Sequence, residues 1–554
     1  MNKLVNLLVL LSGSLLVQTV VAEEIEPLHR RIDQLVQTAQ GDSADQVASL
    51  TSDAEFVRRL YLDLTGRIPT SLVVQKFLDH SDEHKREQLV DQLLATPQYA
   101  IHMQHVFDEL LMRRLPKKHV DPVVWQEYLF TSFLENKSWK QLASELLSAD
   151  GVEKEQRGQA RFLLDRDLNR DDTVRDIGRL FLGRDLQCAQ CHDHPTIEDY
   201  PQQHYYGLSA FLQRSYLFTD PESEETSIGE KAEGDVKFTS VFTNEENGTA
   251  PRLLDFPPIE DPEVADELYL TKPEEKVRGI PRYSRRQQLA PAVVADDNTA
   301  FRLNITNRIW ALIMGRGLVE PLDMMHAANP PSHPELLEVL ATDLQAHDYD
   351  LRYLMRELVL SQTYQRSSEF SEQTEDSPGN LYLSFPLKPL TPEQLAWSMM
   401  QAIGLVDTTR QSELERLQQE NEGFDPSQQA PSVQLERAIH KALASHVENF
   451  VEVFASGNTT FGPTVEQALF LENDELLNCW LVPAAGNLLD RLNKTCSTDE
   501  AIDQLYLATL SQIPSIEKRQ SLTQFLDSFP ADRLTGFTQA TRAILCSAEF
   551  RFNH

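Results

Sequence analysis

The sequence predicts a mainly α-helical protein in which two helical lobes are joined by an acidic connector with a small β element. Segments with apolar residues at helical spacing, bounded by capping residues, recur along most of the chain. Alternating patterns typical of strands are scarce. Residues 216–296 differ from both flanks, because acidic residues and prolines are frequent there and the helical pattern is lost.

The first 22 residues have the pattern of a secretory signal peptide. Lys3 precedes an uncharged apolar run from Leu4 to Val17, and Ala22 ends a stretch of small residues. A membrane anchor is the alternative, but this run is shorter than the roughly 20 apolar residues that a spanning helix needs. We therefore expect cleavage after residue 22 and a periplasmic or extracellular protein without an integral membrane span.

Residues 28–215 are predicted to form the first helical domain. Ser52 or Asp53 is placed to cap a helix, and apolar residues follow at helical spacing. A later amphipathic segment ends at Gly183, a residue type that commonly stops helices. The connector follows at 216–296, and its best strand pattern lies at 235–244, where β-branched residues alternate with polar ones.

Residues 297–553 are predicted to form the second helical domain. Ser332 is placed as a cap with Glu335 three residues later, which is the spacing of a capping box. Thr391 and Gln394 repeat this spacing, with a proline at the first turn of the helix between them.

An excess of acidic residues sets the charge of the protein. The chain has 51 Lys and Arg against 85 Asp and Glu, which gives a formal net charge of −34 at pH 7. Because such a surface repels phosphate backbones, we expect no nucleic-acid partner.

The segment DLQCAQCHDHP, residues 185–195, contains two of the five cysteines and two of the 15 histidines. Its Cys-x-x-Cys-His spacing is that of c-type haem attachment, in which two thiols bind one edge of the porphyrin and the histidine ligates the iron. Cys188 and Cys191 are then the thioether residues and His192 is the axial ligand. His194 follows too closely to reach the opposite face of the haem, so we expect it beside a propionate or supporting the ligand. Candidates for a sixth iron ligand are His204, Met103, His105, Met325 and His326.

Direct coordination of zinc or non-haem iron is a second interpretation, because mixed thiolate and imidazole ligands suit these metals. Its ligands come from Cys188, Cys191, His192, His194, Asp193 and His204. A disulfide between the two cysteines of the segment is a third interpretation. The three other cysteines admit a pair between Cys479 and Cys496, which leaves Cys546 single, although the sequence does not fix this connectivity.

Long motifs in both halves of the chain resemble a known pair of domains. EFVRRLYLDLTGRIPT, FLGRDLQCAQCHDHP and HYYGLSAFLQRS resemble the planctomycete cytochrome-like family, domain of unknown function 1549. FRLNITNRIWALIMGRGLVEPLD, PPSHPELLEVLA, LVLSQTYQRSS and LCSAEFRFNH resemble the partner domain that usually follows it, domain of unknown function 1553. The resemblance implies an exported protein with cytochrome character in bacteria that digest complex polysaccharides.

These observations lead to one main expectation and two alternatives. The main expectation is an exported protein carrying haem c, with an electron-transfer or redox role beside polysaccharide breakdown. Its partners are then a redox protein and polysaccharide-related proteins. The alternatives are a non-haem zinc or iron metalloprotein, including a hydrolytic one, and a non-enzymatic surface or glycan-binding protein. The sequence does not decide whether the protein is an enzyme.

Overall fold

A computed structural model provides the structure of this chain. It describes residues 26–239, 246–263, 267–369, 379–454, 467, 470–471 and 475–554. The predicted signal peptide, residues 1–22, lies outside the described residues.

The fold is mainly α, as predicted. The described residues form 23 α-helices. In chain order these are α1 (Leu28–Gln40), α2 (Asp53–Thr65), α3 (Ser71–Asp79), α4 (Lys85–Leu94), α5 (Pro97–Met112), α6 (Pro122–Leu134), α7 (Trp139–Ser148), α8 (Arg157–Leu164), α9 (Arg170–Leu182), α10 (Gln202–Leu212), α11 (Leu289–Val293), α12 (Thr299–Met314), α13 (Pro334–Ala346), α14 (Leu351–Leu360), α15 (Pro392–Ile403), α16 (Leu405–Glu420), α17 (Gln429–Phe454), α18 (Glu475–Trp480), α19 (Leu488–Lys494), α20 (Thr498–Leu510), α21 (Ile516–Asp527), α22 (Arg533–Leu545) and α23 (Ala548–Arg551). Single turns of 3₁₀-helix occur at Lys154–Gln156, Cys188–Gln190, Arg286–Gln288 and Gly379–Leu381, and a longer one at Gly41–Gln46.

Within the described residues the strands are short and pair two by two. They are β1 (Ser215–Thr219), β2 (Thr226–Glu230), β3 (Val236–Thr239), β4 (Glu246–Thr249), β5 (Tyr269–Thr271), β6 (Ile280–Pro281), β7 (Lys388–Pro389) and β8 (Phe552–Asn553). The four pairs are β1 with β2, β3 with β4, β5 with β6 and β7 with β8, and all are antiparallel. The strand predicted at 235–244 corresponds to β3, and its residues 240–244 lie outside the described residues.

Two apolar cores hold the helices together. The first contains buried side chains from Leu28 to Phe385, and therefore includes helices from both sides of the connector. The second contains buried side chains from Leu390 to Phe550, together with Leu62 and Ile68 from the first part of the chain. Helix α2 and the turn after it thus contribute to both cores.

Helix α2 is also a hub of buried polar contacts. The guanidinium of Arg58 donates to the backbone carbonyls of Thr509 (2.9 Å) and Phe550 (3.0 Å). Arg59 donates to the carbonyls of Tyr364 and Arg366. Both arginines are fully buried, so these bonds tie α2 to segments far away in the sequence.

Asp63 lies one turn further along α2 and is 6% exposed. Its carboxylate accepts hydrogen bonds from the ammonium of Lys388 (2.6 Å), the amide of Asn553 (2.8 Å) and the hydroxyl of Tyr364 (2.8 Å). One side chain from the first domain therefore binds both strands of the β7–β8 pair and the segment after α14.

Among the described residues, none of the helices combines the length and the apolar character that crossing a membrane requires.

Candidate functional site

The cysteine segment lies between α9 and α10, and its start is fixed by a glycine. Gly183 ends α9 in the left-handed conformation (φ 68°), which residues with a side chain rarely adopt. Its carbonyl accepts the N–H of Met325 (2.9 Å), and Arg184 pairs with Met324 as an isolated antiparallel bridge. The segment therefore begins at a contact with the loop that follows α12.

Cys188 and Cys191 lie one turn apart. Residues 188–190 form a 3₁₀ turn, and the N–H of Cys191 donates to the carbonyl of Cys188 (3.4 Å). Between them Ala189 is fully buried and belongs to the first apolar core, whereas both cysteines are exposed. The buried side chain of Ala189 thus fixes the turn in the core, and the thiols of Cys188 and Cys191 are exposed to solvent. No disulfide joins them, and Cys479 and Cys496 are free thiols as well.

His192 follows the turn and is half-buried. Its Nδ1 lies 2.7 Å from the carbonyl oxygen of Asp193. Because a carbonyl only accepts, the proton of the neutral ring lies on Nδ1, which leaves the lone pair on Nε2. In proteins, a hydrogen bond from Nδ1 to a carbonyl orients histidines that bind metals through Nε2.

His194 and Asp193 have a different role, since their side chains hold the backbone of the segment. Nδ1 of His194 accepts the N–H groups of Ile197 (3.0 Å) and Thr196 (3.3 Å), so the proton of its neutral ring lies on Nε2. The carboxylate of Asp193 accepts the N–H of Gln202 (2.7 Å), the first residue of α10. Both side chains therefore fix the path from the cysteine turn to α10.

His204 is buried within α10 and both of its ring nitrogens are engaged. Nδ1 contacts the carbonyl of Asp199 (3.1 Å) and Nε2 contacts the carboxylate of Asp255 (3.1 Å). Burial lowers the pKa of His204, and the Asp255 carboxylate opposes this. In the part of the chain that the structure describes, no group of three or more His, Cys, Asp or Glu side chains is arranged to hold a metal ion.

An aromatic surface lies beside Cys191. Tyr206 of α10 stacks on Phe238 of β3 with ring centroids 4.3 Å apart, and the Tyr206 hydroxyl donates to the carbonyl of Gln190 (3.0 Å). Burial raises the pKa of Tyr206, and the nearby Cys191 raises it further. Both rings are half-exposed. Sequence reasoning did not single out these residues; the aromatic residues in HYYGLSAF gave the only available signal.

The candidate sixth ligands separate into two places. Met103 is fully buried in the first core. His105 and His440 both line a cavity between α5 and α17. His326 instead lies near the cysteine segment. Its ring meets Tyr200 edge to face at 5.5 Å, and the other edge-to-face contact of Tyr200, at 6.0 Å, is with His194.

Replacing Asp193 by alanine is expected to lower the free energy of unfolding by about 1 kcal/mol, because an N–H at the start of α10 loses its carboxylate acceptor. Asp193→Asn keeps an oxygen acceptor and is expected to stay within a few tenths of a kcal/mol of the wild type. Urea denaturation of the three proteins measures the difference. Equal stability of the alanine variant and the wild type would contradict this role of the Asp193 carboxylate.

Comparisons with known proteins found two family models. PSCyt2, a protein of unknown function (DUF1549), matches residues 31–216. PSD1, a protein of unknown function (DUF1553), matches residues 285–526. Neither the curated proteins nor the solved structures gave a match.

Proposed function

This chain contains a PSCyt2 domain followed by a PSD1 domain, and from its cysteine segment we propose that it is an exported c-type haem protein that transfers electrons. One observation carries the proposal: two exposed thiols one turn apart are followed at once by an imidazole whose Nδ1 is held by a carbonyl. The export part rests on the signal-peptide pattern of residues 1–22.

The residues present fit a covalently attached haem. Cys188 and Cys191 supply the two thiols, and His192 offers Nε2 as the nitrogen with the lone pair. The stacked pair of Tyr206 and Phe238 offers a half-exposed aromatic face beside Cys191, suitable for packing against a planar macrocycle.

A bound haem would supply a one-electron redox centre. The residues of the protein around this centre keep the segment in position. His194 and Asp193 hold the loop in place, and the Tyr206 hydroxyl binds the carbonyl of Gln190. Because both thiols are exposed, a partner protein could approach the centre directly, as a redox partner must. An association with polysaccharide breakdown rests on the family resemblance alone.

The same geometry supports direct metal binding less well. The Nδ1 lone pair of His194 is already used by backbone N–H groups, and both nitrogens of His204 are engaged. Two of the residues that a zinc or non-haem iron site would use are therefore committed elsewhere.

The test is export of the protein from a host with a haem-attachment system, followed by a haem stain of the denatured chain and an absorption spectrum. The wild type is expected to keep the stain after denaturation and to gain the mass of one haem. Cys188→Ser/Cys191→Ser is expected to lose it completely, because both thioether bonds are gone. Cys496→Ser is the matched control, since it removes an exposed thiol from another part of the chain.

A second variant examines the axial ligand. His192→Ala is expected to keep the covalent stain and to change the spectrum of the iron, because the thiols remain and the imidazole does not. A wild-type protein without a Soret band, but with about one zinc or iron per chain, would overturn the haem proposal in favour of direct metal binding.

A further inference from the structure

A cavity of about 410 Å³ lies between the two family domains, away from the cysteine segment. Residues of α2 and α5 form one side, and residues of β7, α15 and α17 form the other. Its volume is within the range of small-molecule sites. Nothing in the proposed electron-transfer function uses this cavity.

Three histidines line the cavity: His102, His105 and His440. The rings of His105 and His440 lie 6.2 Å apart, and His440 packs at 4.1 Å on Trp397. Burial lowers the pKa of all three, that of His102 to about 3. At neutral pH each ring is therefore uncharged, with one donor and one acceptor nitrogen. One nitrogen of His102 is already bound to the backbone of Asp63.

The charges around the cavity are already balanced. The three cations among its lining residues each have a carboxylate partner. Lys388 pairs with Asp63 (2.6 Å), Arg67 with Glu436 (3.2 Å), and Arg114 with both Glu109 (3.0 Å) and Glu393 (2.7 Å). A charged ligand would find no unpaired counter-ion here, so an uncharged one fits better.

Several buried polar atoms in the lining still need partners. Nη1 of Arg67, Nε1 of Trp397 and Oδ1 of Asn553 have no hydrogen-bond partner among the described residues. The three side chains are more than nine-tenths buried. Two of these atoms are donors and one is an acceptor. Each is shielded from the open part of the cavity, so a ligand reaches it only if the side chain shifts.

We propose that this cavity binds an uncharged polyhydroxylated molecule, a mono- or disaccharide. Hydroxyl groups both donate and accept, which suits the neutral imidazoles of the lining. Apolar side chains of Ile101, Val106 and Leu312 also line the cavity and offer contacts for the C–H faces of a sugar ring. The proposal is independent of haem attachment.

The test uses the full chain and follows the imidazole Hε1 resonances by NMR during titration with glucose, xylose and cellobiose. At least one of these sugars is expected to shift the resonances of His105 and His440 in a saturable way and to leave the exposed His84 unchanged. Glucuronate, the charged counterpart of glucose, is expected to bind at least ten-fold more weakly than glucose itself.

Two leucine variants assign the effect to the cavity. His105→Leu and His440→Leu are each expected to weaken sugar binding at least ten-fold, whereas His84→Leu is expected to have no effect. Because the wild-type resonances report binding directly, a variant that fails to fold leaves the test intact. No shift with any of the three sugars, or equal binding of glucuronate and glucose, would overturn the proposal.

Discussion

Replacement of Asp63 by alanine is expected to lower the free energy of unfolding by about 3–5 kcal/mol. The change removes the carboxylate that pairs with Lys388 and leaves a buried ammonium without its counter-charge. It also removes the acceptor for Tyr364 and Asn553. Urea denaturation at pH 7 measures the loss.

Two variants serve as references for Asp63→Ala. Tyr364→Phe removes one hydroxyl donor to the same carboxylate and is expected to lose about 1.5–3 kcal/mol. Asp45→Ala removes an exposed carboxylate and is expected to change stability by less than about 0.5 kcal/mol. A loss from Asp63→Ala no larger than that from Asp45→Ala would contradict the role given to this ion pair.

The loss of stability caused by Asp63→Ala is also expected to depend on pH. Burial lowers the pKa of Lys388 in the folded protein, and Asp63 opposes this. Without Asp63 the folded pKa falls further, while the unfolded pKa stays near its ordinary value of about 10.4. Between the two values the unfolded state binds more protons, so stability rises with pH. The stability deficit of Asp63→Ala is therefore expected to be smaller at pH 10 than at pH 7.

Replacement of Trp139 by alanine is expected to cost about 3–5 kcal/mol as well, through a cavity in the first core. Trp139 of α7 is 1% exposed. It stacks on Phe181 of α9 (5.6 Å) and on Phe301 of α12 (6.2 Å), so its ring lies between residues of both family domains. Calorimetry or urea denaturation measures the loss.

The matched variants for Trp139 keep the chemistry simple. Trp139→Phe retains an aromatic ring and removes an Nε1–H that has no hydrogen-bond partner, so its cost is expected to be well below that of alanine. Val123→Ala, at a side chain that is 69% exposed, is expected to cost less than about 0.5 kcal/mol. Similar losses for Trp139→Ala and Trp139→Phe would contradict a stacking role.

Local features of the fold were predictable from the sequence. Ser52 caps α2, Gly183 ends α9, and Thr391 with Gln394 forms a complete capping box at α15. These signals depend only on neighbouring residues. The cap predicted at Ser332 was wrong: α13 begins at Pro334 with His333 before it, and no side chain caps this helix. The Ser332 hydroxyl lies 3.1 Å from Nδ1 of His333 instead.

Long-range packing was not predictable in the same way. An apolar stripe shows that a helix buries one face, but not which helix covers it. The contribution of Leu62 and Ile68 to the second core is of this kind. So is the burial of Arg58 and Arg59, which donate to backbone carbonyls of distant segments. Only the pair of Arg59 with Glu55, one turn earlier in α2, follows a local spacing.

The candidate site divides along the same line. The spacing of Cys188, Cys191 and His192 predicts a haem-attachment pattern, because that chemistry is local. Which other residues adjoin it depends on packing. His326 contacts Tyr200, and Phe238 contacts Tyr206, and these contacts bring both residues close to the segment. Neither contact follows from spacing along the chain.

The first core continues across both sides of the connector, and this affects how the protein can be divided. A protease that nicks the connector would leave two fragments still joined by aromatic and aliphatic packing, so they would elute together until a denaturant separates them. Expression of residues 28–215 alone would produce a polypeptide in which the apolar surface that α12 to α14 cover is exposed to water.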